Sequence, residues 1–149
     1  MSHSILHRDI KPTNVGLDEN NQVKIFDFGL AKELKSRLKV GTDQYKGRSS
    51  VGTLRYMAPE VYRGDPYGLP VDVYGAALIL WGIMDLKTPF KNLSKADDLV
   101  KNVFYDKKRP DIKWEWPKAI KRLLKCAWHD DPMKRPKMVE FHDTIQSCF

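Results

Sequence analysis

The sequence predicts a mainly α-helical unit with a small β-hairpin near its N-terminus, and three observations carry that expectation. Val15 and Leu17 precede a turn-forming Asp-Glu-Asn-Asn stretch, and Val23 and Ile25 alternate with Lys24 on its far side. Apolar alternation on both sides of such a turn is the signature of a hairpin. The run Val73–Met84 is apolar apart from its glycines, and Ile120, Leu123, Leu124 and Ala127 recur at helical spacing. With 149 residues, 42% of them hydrophobic and 30% charged, the chain can build one domain around a real core.

In chain order, the hairpin comes first. Residues 32–57 carry Lys, Arg, Ser, Thr and Gly with little periodicity, which predicts a long exposed loop. From Pro59 the texture becomes helical. Val71–Met84 is expected as a buried helix: its apolar run of twelve residues from Val73 is too short to span a bilayer, and Asp72 abuts it. Ser94 with Asp97 three residues later resembles a capping box, opening a helix through about Val103. Pro117 suits a first helical position, and Pro136 opens a last helix with Met138, Phe141 and Ile145 on one side. There are no repeats, no low-complexity tracts and no shift of composition that would mark a domain boundary.

The net charge of +7 raises nucleic-acid binding, but the 26 Lys and Arg are dispersed and the densest cluster is Lys107-Lys108-Arg109. A solvated basic surface is the better reading, one that also suits acidic or phosphorylated partners. Cys126 and Cys148 match no metal-ligand spacing and are expected as buried free thiols of a reducing compartment. His129 and His142 have no metal-site pattern around them and read as surface or core residues. His3, His7, Arg8 and Asp9 interrupt any apolar leader, so an intracellular location, cytoplasmic or nuclear, is expected.

Three motifs occur in order: HRDIKPTN at 7–14, DFG at 27–29 and APE at 58–60. Each alone is weak. Together they supply what phosphoryl transfer needs: a carboxylate to accept the proton of an attacking hydroxyl, a cation for the phosphate, and hard oxygen atoms for metal. In this arrangement they resemble the protein kinase family, and the resemblance covers essentially the whole chain as that family's C-terminal, mainly helical lobe. It implies a partial kinase domain over 1–149, with the catalytic loop at 7–14, an activation segment at 27–60 and a helical core at 61–149.

The resemblance also implies ATP with Mg²⁺ or Mn²⁺ as cofactors and a protein Ser/Thr as substrate. Asp9 would be the base, Lys11 the group that steadies the transferring phosphate, and Asn14 and Asp27 the metal ligands on the nucleotide side. Lys11 in the loop and Thr53 in GTLRYMAPE resemble the serine/threonine form, with Thr53 bonded near Asp9 and Lys11. That stretch and the C-x-W-x-x-D-P-x-x-R-P pattern at 126–136 look most like the tyrosine-kinase-like branch of those enzymes. Arg8 resembles the arginine that pairs with a phosphorylated loop residue, for which Ser49 or Ser50 is the candidate. Structural roles are implied for His7 stacked on Phe28, for Glu60 paired with Arg135, and for Asp72 accepting backbone bonds from the catalytic loop.

The chain also departs from the family. No G-x-G-x-x-G loop, lysine strand or partner glutamate helix is among its residues, so the missing nucleotide-binding lobe counts among the expected partners. Little or no kinase activity is expected from these 149 residues alone. The absence of a supporting helix ahead of the loop predicts an exposed apolar patch. Gly16 stands where the family usually has a Leu-like residue under the adenine, which leaves that packing looser or filled from elsewhere. Gly75, Ala76 and Ala77 stand where larger residues are usual. The alternative function is a non-catalytic, kinase-derived interaction module, and charge alone supports a basic nucleic-acid binder.

Overall fold

The computed structural model describes residues 5–34, 39–41, 43–47 and 51–148. Four short strands open the chain: β1 (Ile5–Leu6), β2 (Val15–Leu17), β3 (Val23–Ile25) and β4 (Lys32–Glu33). They nest, with β2 antiparallel to β3 and β1 antiparallel to β4 outside them. The inner hairpin exists because Asp18 closes its turn: Oδ1 accepts from Asn20 N and Gln22 N, both at 2.9 Å, and Asn21 takes a left-handed φ of 59°.

The expected long loop over 32–57 is more ordered than its composition suggests. Besides β4, its described residues form β5 (Lys39–Gly41) and β6 (Gln44–Tyr45), and Tyr45 exchanges backbone bonds of 3.0 and 3.1 Å with Tyr67. Strands this short carry no readable periodicity, and the Tyr67 that Tyr45 bridges, besides its strand partner Lys39, is distant in sequence. A 3₁₀ turn at Leu54–Tyr56 ends the segment and leads into α1 (Pro59–Arg63), which Gly64 stops in the left-handed region at φ 76°.

The centre of the molecule is α2 (Pro70–Asp85), whose Val73, Tyr74, Ala77 and Leu78 are fully or almost fully buried. It is not buried all round, however. Ile83 is 65% and the following Leu86 90% exposed, and with Ile79, Pro12, Val15 and Tyr56 they line an open apolar groove. These side chains form an exposed apolar patch.

Next comes α3 (Ala96–Leu99), continued by a π-helical turn over Val100–Tyr105. Its N-cap is Lys95, not Ser94, and no side chain caps it, so the expected capping box does not form. α4 (Lys118–Ala127) buries Ile120, Leu123, Leu124 and Ala127 against α2, with Pro117 at the N-cap, one position earlier than expected. α5 (Met138–Gln146) begins two residues after Pro136, where Lys137 N donates to Glu140 Oε2 at 2.7 Å and fixes the start. Phe141 is buried but Met138 is 44% exposed, so the apolar side of α5 is narrower than its spacing implies. Cys126 and Cys148 are free but half-buried rather than buried. No helix among the described residues is long and apolar enough to cross a membrane.

Candidate active site

The loop between β1 and β2 is held from below by α2. Asp72, in the first turn of that helix, accepts His7 N at 2.8 Å and Arg8 N at 2.9 Å, one on each carboxylate oxygen. Arg8 has a left-handed φ of 70°, a conformation that costs on the order of 1–3 kcal/mol unless neighbours enforce it. Burial pushes the Asp72 carboxyl above the ordinary carboxylate value, and the two N–H donors oppose that rise. One turn along, Gly75 sits against the loop: a Cβ there would lie 2.8 Å from Ile10 O. The small residue, standing where larger ones are usual, permits close approach of helix and loop.

His7 fixes the far side. Asp9 N donates to its Nδ1 at 3.3 Å, so Nε2 carries the proton and donates to Phe26 O at 2.9 Å. The Phe28 ring meets the imidazole edge to face, 5.0 Å between centroids at 67°, rather than stacking flat, and Phe28 stays 59% exposed.

Three predicted residues converge on the carboxylate of a fourth, Asp9. Asp9 Oδ1 accepts from Thr53 N at 2.9 Å and from Thr53 Oγ1 at 2.8 Å. Asp9 Oδ2 takes Lys11 Nζ at 2.7 Å and Asn14 Nδ2 at 3.1 Å. Lys11 Nζ also donates to Thr53 Oγ1 at 2.7 Å, so the hydroxyl accepts from the ammonium while donating to the carboxylate. Burial pushes Asp9 up, but the bonds from Lys11 and Thr53 outweigh it and hold the acid below its ordinary value. Asp9 is therefore an ionised acceptor at neutral pH.

Thr53 reaches this position because Gly52 adopts φ 99°, and a Cβ on Gly52 would lie 2.5 Å from Arg8 O. Gly52→Ala is expected to destabilise the chain by about 1–3 kcal/mol and to shift Thr53 off Asp9. Urea denaturation checks the stability, and the Thr53 amide resonance in NMR reports the lost bond. An unchanged resonance would show that the loop tolerates a side chain there.

The hairpin carries the fifth residue. Phe26 N donates to Asn14 O at 2.8 Å, and Asp27 follows Phe26 directly in the chain. Asp27 is exposed, left-handed at φ 57°, and accepts Gly29 N at 3.2 Å on Oδ1. Asn14, in contrast, is buried, and its Nδ2 donates to both Asp9 O and Oδ2, so its amide oxygen takes no part in these bonds. No group of three or more His, Cys, Asp or Glu that could hold a metal ion occurs among the described residues. Next to these groups, the space a Gly16 side chain would fill is taken by Phe26: a Cβ would lie 2.8 Å from Phe26 Cε2.

Arg8 turns its guanidinium away from Asp9. Nε donates to Leu30 O at 2.6 Å and Nη1 to Tyr67 Oη at 3.1 Å. Burial, then the nearby charge of Arg8, pulls Lys32 below the ordinary lysine value. Ser49 and Ser50 lie outside the described residues.

Glu60 and Arg135, buried in α1 and before α5, pair in two parallel bonds of 2.7 and 2.8 Å. Arg135 also donates to Pro70 O and His129 O at 3.0 and 2.9 Å, and lies over the Tyr74 ring at 5.1 Å.

Sequence reasoning missed Arg55. Its Nη1 donates to Pro89 O and Phe90 O at 2.8 and 2.5 Å, and its Nη2 to Leu93 O at 3.2 Å. All three acceptors are backbone carbonyls, which no residue type announces.

The protein kinase domain family model matches residues 1–145. Among curated relatives from Dictyostelium discoideum, a "Probable serine/threonine-protein kinase" is 40% identical over 136 residues, 91% of this chain and 14% of the relative. "Dual specificity protein kinase shkB" is 38% identical over 138 residues, 92% of this chain and 20% of the relative. "Probable serine/threonine-protein kinase drkC" is 35% identical over 143 residues, 96% of this chain and 18% of the relative. The chain thus spans a fifth or less of the length of these relatives. A family match over nearly every residue, together with a carboxylate gripped by the lysine, asparagine and threonine of the ordered motifs, makes the chain a member of the protein kinase family.

Proposed function

We propose that this chain is the C-terminal lobe of an ATP-dependent protein kinase that transfers phosphate to serine or threonine. The observation that carries the reading is the Asp9 carboxylate, ionised and clasped by Lys11 and Thr53 at 2.7–2.9 Å. In this reading Asp9 orients the substrate hydroxyl and takes its proton, and Lys11 neutralises charge on the phosphate being transferred. Asn14 and Asp27 would hold Mg²⁺ or Mn²⁺ through oxygen. Mg²⁺ is commonly held by one or two side-chain oxygens with the substrate phosphates, which suits two such residues better than a closed protein cage. The metal would supply charge neutralisation at the phosphates. Phe26, lying over Gly16, would give the adenine side its apolar platform.

Phosphate-cradling glycines are not among the 149 residues, so catalysis draws on elements outside them. The test is transfer from ATP to a protein substrate by the full-length protein, followed by phosphoamino-acid analysis. Phosphoserine and phosphothreonine support the reading. Phosphotyrosine alone, or no transfer, overturns it.

Regulation would run through Arg8 and Lys32. Two cations that make no salt bridge among the described residues form a place where phosphate on Ser49 or Ser50 can order the segment. Replacing both serines by alanine is expected to lower the full-length rate about tenfold or more, read from initial rates. An unchanged rate rules out both serines as the switch.

The apolar groove of Ile79, Ile83 and Leu86 favours a second reading, a non-catalytic interaction module. That reading predicts a cellular role untouched by Asp9→Asn.

A further inference from the structure

A cavity of about 520 Å³ opens between the C-terminal end of α2, the loop that follows it, and the segment leading into α4. None of Asp9, Lys11, Asn14, Asp27 and Thr53 lines it. Five cationic side chains line it against two acidic ones. The positive excess is not consumed internally. Asp85, almost wholly buried, is claimed by Lys113 at 2.5 Å and Lys87 at 3.1 Å. Among the described residues Lys108 Nζ donates only to the neutral Asn102 Oδ1, at 2.6 Å. Lys91 has no ion pair or hydrogen bond among the described residues, and both Lys91 and Lys108 are exposed.

The walls are built rather than loose. Trp81 Nε1 donates to Asp111 O at 2.7 Å across the floor, and the π-helical turn carries Asn102 into the lining. Such turns occur disproportionately at functional sites. Trp114, next in chain to Lys113, is 85% exposed, and exposed tryptophan is the residue type most enriched among energetic anchors of interfaces. The loop over residues 89–93 that forms one rim is the one Arg55 grips, and Arg55 follows Thr53 by two residues. A partner held here would therefore sit on backbone braced directly against the segment that touches Asp9.

We propose that this cavity docks an acidic, extended peptide segment of a protein partner, with its carboxylates facing Lys91 and Lys108 and an apolar side chain covering Trp114. Calling that partner a protein substrate rests on the phosphoryl-transfer reading, but the docking itself does not. Complementary charge of this kind steers encounter and fixes register, and a tethered substrate gains local concentration without any change in the reacting groups.

The test is fluorescence anisotropy with the 149-residue chain, using a labelled glutamate-rich peptide that carries one central leucine, and its lysine-rich counterpart. The acidic peptide is expected to bind saturably and the basic one not at all. Lys91→Glu with Lys108→Glu should weaken binding by roughly tenfold or more, and Trp114→Ala should weaken it too. Lys125→Glu with Lys134→Glu, an equal change of net charge at exposed positions off the cavity, should leave affinity unchanged. Circular dichroism of each variant confirms an unaltered fold. No binding, an equal loss with the control pair, or equally tight binding of duplex DNA would each overturn the proposal. Because no nucleotide enters this assay, docking and phosphoryl transfer fail separately: Asp9→Asn is expected to keep the peptide in this chain and to lose the transfer in the full-length protein.

Discussion

Asp9→Asn in the full-length protein is expected to reduce phosphoryl transfer by about 10²–10⁴-fold. The magnitude is that of a positioned general base, and the geometry explains why the amide is no substitute. Every group around Asp9 is a donor: Thr53 N, Thr53 Oγ1, Lys11 Nζ and Asn14 Nδ2. An asparagine must turn its NH₂ towards one of them, which breaks two bonds' worth of geometry and removes the negative charge that Lys11 balances. The substitution therefore also destabilises the loop by about 1–3 kcal/mol. Initial rates at saturating ATP, alongside a thermal melt, separate the two effects. A variant that melts near the parent yet keeps more than a tenth of its rate would remove Asp9 from the chemistry.

The acid side of the same prediction follows from the direction of the shift. Asp9 is held below its ordinary value in the folded chain, so its contribution to stability is complete above that ordinary value. It fades only as pH falls through the depressed value. The parent should lose stability in that acid window, and Asp9→Asn should lose less of it there.

Much of the site was legible because its members lie close in sequence. Asp9, Lys11 and Asn14 fall within six residues, and a 3₁₀ turn at Pro12–Asn14 folds the last of them back onto the first. The inner hairpin was legible for a similar reason, since Asp18 announces its turn through a side chain. The start of α3 misled because Ser94 is a good capping residue by type, while the chain enters the helix one residue later without side-chain help. β4 and β6 were invisible, being two residues long: β4 pairs with the distant β1, and β6 adds to its local pairing with β5 a bridge to the distant Tyr67. The exchange of Gly16 and Phe26 could be posed but not solved from the letters, since it needs the Val15–Ile25 register that sets the two side by side. Arg55 and the Lys91–Lys108 cavity depend on backbone carbonyls and on three loops meeting in space, which no local pattern encodes.

Arg135→Leu is expected to cost about 3–5 kcal/mol of folding stability, the largest loss from any single ion pair among the described residues. The Arg135 side chain is 0% and the Glu60 side chain 2% exposed, so removing the arginine strands a carboxylate in the interior. It also strands the carbonyls of Pro70 and His129 and uncovers one face of Tyr74. The Arg63–Asp130 contact is the useful contrast: at 3.3 Å with side chains 33% and 25% exposed, it should contribute about 0–1 kcal/mol. Replacing both Glu60 and Arg135 by leucine should recover part of the loss, because no buried charge then remains without a partner. Urea midpoints for the two single variants and the double give the coupling directly. The consequence should reach Asp9, because α1, which holds Glu60, follows within a few residues of Thr53. If Arg135→Leu costs less than about 1 kcal/mol, water has reached Glu60, and the segment ending in α1 must be anchored by its apolar contacts, Ala58 and Val61, instead.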